Sequence, residues 1–104
     1  MRSVAKKEDS QVIVNDPFAI RLMVRYLDKR KQDVRTLRAA LANEDFESIQ
    51  DKGHNLFGSG SAYGLDPISE LGAALEKTAK KRDSAKIGQL IEKLEAFIYN
   101  VRIV

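Results

Sequence analysis

His54, the chain's single histidine, lies in the stretch GHNLFGSGSAYG at residues 53–64. Imidazole can act as a proton carrier, a metal ligand or a covalent nucleophile. With one histidine and no cysteine, a thiolate or multi-imidazole metal site, a cysteine nucleophile and a disulfide framework cannot be assembled. No glycine-rich phosphate loop or serine hydrolase signature is present either. Most catalytic constellations therefore cannot be assembled. If residues 45–63 and 66–82 form antiparallel helices about a pivot at residue 65, His54, eleven before the pivot, faces Glu76, eleven after it, since both helices rise about 1.5 Å per residue. A Glu76 carboxylate accepting the Nδ1 proton fixes the tautomer and leaves Nε2 free and outward-pointing as a nucleophile.

Residues three, four or seven positions from a helical residue share its face. Gln50, Asp51, Phe57, Gly58 and Ser61 therefore surround the imidazole on its own helix. Glycine inside a helix costs about 1 kcal/mol relative to alanine, so Gly58 calls for a reason. One turn from His54 it leaves no side chain in the way, and a partner can approach the helix backbone there. The same register sets Gly72 and Ala73 near Phe57 and Gly58, a groove lined by small residues. Each feature also has a plainer reading. A lone histidine on a mixed helix is an ordinary surface residue, helical glycines relieve crowding between helices, and Lys77, Lys80, Lys81 and Arg82 form a solvated helix end.

These residues need helices to hold them, and the periodicity supplies four. In residues 15–45, Asn15 or Asp16 offers a cap, Pro17 suits a first turn, and Leu27, Val34 and Leu41 recur seven apart beside Met23 and Leu37. The spacing predicts one long helix, or a short one joined to a longer one near residue 22, ending around Asn43. A second helix carries Phe46, Ile49, Gly53, Leu56 and Gly60 on one stripe and stops at Gly64. A third begins with Asp66 as cap and Pro67, with Ile68, Leu71, Leu75 and Ala79 inward. The last, capped by Asp83 or Ser84, buries Ile87, Ile91, Leu94, Ile98 and Val101, with Leu90 and Phe97 beside them. No strand pattern competes. Short links make such helices antiparallel, with crossings of roughly 20°. The expected fold is all-α: an antiparallel up-down four-helix bundle with a short N-terminal helical extension, over residues 13–104, after a flexible tail at 1–12.

A chain of 104 residues is one domain by length. No apolar run reaches the length of a membrane span, and MRSVAKKEDS lacks a signal-peptide core, so a cytoplasmic monomer is expected. Eighteen basic against fifteen acidic residues leave a net charge of +3. That balance does not argue for nucleic-acid binding, which would rest only on a pI of 9.3 and the Lys80–Arg82 cluster.

Residues 53–76, GHNLFGSGSAYGLDPISELGAALE, resemble the signature of histidine-containing phosphotransfer (HPt) domains of bacterial multistep phosphorelays. The shared elements are the histidine, Leu56 two later, Gly58 four later, small residues at 59–62, Gly64 ten later, and the leucine and glutamate of LGAALE. The resemblance implies a phosphoryl carrier rather than an enzyme: His54 takes a phosphoryl group from a receiver-domain phospho-aspartate and passes it to another receiver. It also implies that Gly58 keeps the docking face open and that Glu76 orients the ring. The expected partners are response-regulator receiver domains or a hybrid sensor kinase. The chain needs no cofactor or metal of its own, because the receiver brings the acidic pocket and Mg²⁺. In one respect the sequence departs from the pattern. Many HPt domains carry lysine three residues after the histidine, where this chain has Phe57. Either Lys77 or Lys80 supplies the charge for the phosphate, or the receiver does, and Phe57 enlarges an apolar docking patch. The departure also supports an alternative, a docking module of the same fold that no longer transfers phosphate.

Overall fold

The computed structural model describes residues 11–12 and 16–103. Four helices run in chain order: α1 (Pro17–Ala42), α2 (Phe46–Gly60), α3 (Asp66–Lys80) and α4 (Ser84–Asn100). A single 3₁₀ turn, Ser61–Tyr63, extends α2. α1 starts where the sequence marks it, with the Asp16 side chain accepting from the Phe18 N–H at 3.2 Å and Pro17 in the first turn. Its 26 residues run unbroken, as nothing between Pro17 and Ala42 removes a donor or loosens the backbone. Of the two expected arrangements the single long helix is therefore the one present, and residues 17–22 are its first turns rather than a separate helical extension.

The bundle core follows the apolar stripes. Leu37, Ile49, Leu56, Leu65, Ile68, Leu75, Ile87, Ile91 and Leu94 are the most deeply buried large side chains. Leu41, Leu71, Phe97 and Val101, also expected inside, are partly buried against it. At about 25 cal/mol per Å² of apolar surface, this contact supplies most of what holds the helices together.

Each connection is a tight turn with a left-handed residue. Gly64 has φ +76°, as its position after α2 requires, but Glu44 and Arg82 also adopt positive φ, at 53° and 57°. Asp45 and Asp83 follow these two and cap α2 and α4. Asp66 is not the cap of α3. Leu65 occupies that position without a side-chain bond, and Asp66 is the first helical residue, its charge favourable at the helix N-terminus.

The sequence showed no strand, yet Gln11–Val12 (β1) and Arg102–Ile103 (β2) pair in parallel, Gln11 with Arg102 and Val12 with Ile103. Strands of two residues are too short to leave a period-two pattern. Gln11 and Val12 belong to the segment expected to be a tail, whose first ten residues lie outside the described ones, as does Asn15.

Candidate functional site

Glycine sets the spacing of α2 and α3. A Cβ at Gly53 would lie 2.7 Å from both the Glu76 amide nitrogen and the Gly72 carbonyl oxygen, and one at Gly72 would lie 2.6 Å from the Phe57 nitrogen. Gly60 meets Ser69 in the same way. These three glycines relieve crowding at a helix interface. Gly58 does not: a Cβ there meets nothing within 4 Å. It faces solvent rather than Gly72, so the expected two-sided groove of small residues reduces to Phe57 against Gly72, with Gly58 on the open face.

Close packing at Gly53 brings the start of the Glu76 side chain against α2. His54 Nδ1 lies 3.4 Å from both Glu76 carboxylate oxygens, with 69 % of the histidine side chain and 25 % of the glutamate exposed. The pairing predicted by the mirror register is present. Its length exceeds the usual 2.7–3.2 Å. A carboxylate can only accept, so in a neutral imidazole that bonds Glu76 the donor is Nδ1 and Nε2 is the acceptor.

Gln50, Asp51, His54, Asn55 and Glu76 line a shallow depression of about 450 Å³. Asn55 escaped the sequence reading because it adjoins His54 in the chain. Its four-residue spacing from Asp51 was the available signal. Phe57, 52 % exposed, borders the site. Ser61 is not at the imidazole. It lies seven residues along the axis, about 10 Å, where its N–H and hydroxyl donate to the Ser69 hydroxyl at 2.8 and 3.1 Å. Ser69 in turn donates to the Phe57 carbonyl at 2.9 Å, so this chain of bonds secures the end of α2 on α3. Lys77 and Lys80 are exposed on α3 and form no ion pair among the described residues. Arg82 turns away from the site, its guanidinium 4.8 Å over the Phe46 ring.

The far side of α2 is anchored to α1. Lys52 and Arg30 both contact the buried Asp33 carboxylate, at 3.0 and 2.7 Å, and the Tyr26 hydroxyl bonds Ser59 at 2.8 Å while its ring stacks on Tyr63 at 4.0 Å. At the start of α2, hydrogen bonds from the Ser48 hydroxyl and then its backbone N–H hold the Asp45 carboxyl below its ordinary 3.8.

A helix carrying an exposed histidine paired with a carboxylate on a four-helix bundle agrees with the comparison to known families: the Hpt domain model matches residues 21–103. Neither curated proteins nor solved structures gave a match. Among the described residues no helix is long and apolar enough to cross a membrane. Hpt domains are phosphocarrier modules of His–Asp phosphorelays, not enzymes, and they work with response-regulator receiver domains. With 83 of its 104 residues, 21 through 103, inside that match, the chain belongs to the Hpt domain family.

Proposed function

We propose that His54 is the phosphoryl carrier of this domain, taking the group from a phospho-aspartate of one receiver and passing it to the aspartate of another. The observation that carries this is the exposed imidazole with Nδ1 on Glu76 and a clear surface at Gly58. The Nε2 lone pair attacks phosphorus, the N–P bond forms as the P–O bond to the donor aspartate breaks, and that electron pair leaves on the carboxylate. The Nδ1 proton stays on the ring, and the positive charge that develops there is balanced by Glu76. The second transfer reverses these steps. Mg²⁺ belongs to the receiver, whose acidic pocket holds it. A hybrid sensor kinase that contains a receiver fits the same surface.

The test is transfer from a labelled phospho-receiver, followed as acid-labile, alkali-stable label. His54→Gln should take up none, and Glu76→Ala should fold yet accept more slowly. Uptake by wild type no greater than by His54→Gln across a receiver panel would sink the proposal. Phe57 favours a second reading, since its exposed ring suits a module that docks receivers without carrying phosphate. Equal receiver binding by wild type and His54→Ala, with no label moved, would establish that one.

A further inference from the structure

A phosphoryl group on Nε2 would bring about two negative charges into a depression that already holds Asp51 and Glu76 and is lined by no cation. We propose that Lys80 supplies that charge and contacts the phosphoryl oxygens, an inference that rests on His54 being the carrier. The register decides which lysine does so. His54 faces Glu76, and α2 and α3 are antiparallel, so Lys80, one turn beyond Glu76 on the stripe that meets α2, stands opposite Gln50. Helical side chains lean toward their own N-terminus. The imidazole therefore leans toward Gln50 and Asp51, both of which line its depression, while Lys80 leans back toward the level of His54. By that lean the two side chains tend toward each other. Lys77 sits about 100° around α3 from Glu76, off the stripe of residues 72, 76 and 80 that meets α2, Lys81 is the cap beyond the helix, and Arg82 is engaged on Phe46. Lys80, exposed and without an ion pair among the described residues, loses no partner by turning to the phosphate.

Potassium phosphoramidate tests this without a receiver: the N–P bond to His54 forms as the donor P–N bond breaks and ammonia leaves. The second phosphate ionisation of the product is then followed by ³¹P NMR against pH. A nearby cation favours the dianion, so Lys80→Gln should raise that pKa by roughly half a unit to one unit at low salt. Lys80→Arg should restore the wild-type value, Lys77→Gln should match wild type, and the differences should fade near 1 M salt, where the Debye length is about 3 Å. An unchanged pKa in Lys80→Gln, or an equal rise in Lys77→Gln, overturns the assignment of Lys80 and leaves the carrier reading standing. Failure of wild-type His54 to take the group from phosphoramidate and from the receiver panel alike overturns both.

Discussion

Gly58→Ala separates what the fold needs from what docking needs. Gly58 is helical, and an added Cβ meets nothing within 4 Å, so the substitution removes backbone freedom from the unfolded chain without creating a clash. The gain is about 0.8–1 kcal/mol of helix propensity, worth a rise of roughly 3–8 °C in unfolding midpoint for a domain of this size. The new methyl stands about 1.5 Å off the backbone, one turn from His54. A receiver held off by about 1 Å loses the 3–3.5 Å approach that in-line transfer requires, a displacement that costs up to about a hundredfold in rate. A tenfold to hundredfold fall in kcat/KM for receiver-dependent transfer is therefore expected, or about 1.4–2.7 kcal/mol of transition-state stabilisation. Phosphoramidate, small enough to pass a methyl, should react at the wild-type rate. Thermal denaturation and the two transfer assays read all three quantities. A stabilised variant that still transfers from receivers at the wild-type rate would refute the idea that Gly58 is kept for close approach, and a destabilised one would refute the geometry of the open face.

Gly53→Ala, five residues earlier on the same helix, should do the opposite. Its Cβ overlaps backbone of α3 at 2.7 Å, an overpacking cost of about 1–3 kcal/mol that the propensity gain of about 1 kcal/mol offsets only in part; a lower unfolding midpoint and slower phosphoramidate uptake through a disturbed Glu76 are expected, and a raised midpoint would contradict the packing. Asp45→Ala should lower stability at neutral pH, where the ionised carboxylate caps α2. Because the folded-state pKa lies below 3.8, that contribution is present above 3.8 and disappears as pH falls past it, so unfolding midpoints of wild type and variant should converge near pH 2, and a gap independent of pH would exclude the cap.

The register of α2 on α3, and with it the His54–Glu76 pair, was legible because two helices of equal rise joined at Gly64 leave little freedom, and mirror positions about residue 65 then meet. Which glycine did what was not legible. Gly53, Gly58 and Gly60 share one short stretch, and only the azimuth of each on α2 shows that two face Ser69 or Glu76 backbone and one faces solvent. The left-handed turns at Glu44 and Arg82 left no signal, because non-glycine residues at positive φ are uncommon and the sequence offers nothing to mark them. Ser61 was misplaced for a related reason. Its spacing of seven from His54 puts it on the right face, but α2 tightens into a 3₁₀ turn there and Ser69 captures it.

The electrostatics of the site bear on what Phe57 does. Asp51 and Glu76 line the depression, and a receiver brings an acidic pocket of its own, so these carboxylates do not attract it. On the carrier reading α2 offers apolar surface for docking. Phe57 is half exposed beside Gly58, where no side chain intervenes, and its carbonyl is fixed by Ser69, which limits the motion of that end of α2. A lysine at this position would add charge to the phosphate but remove that apolar surface. On the carrier reading, with Lys80 supplying the charge from α3, the two tasks divide between helices: α2 would carry the nucleophile and the apolar contact, and α3 the carboxylate that orients the ring and the cation that meets the phosphate.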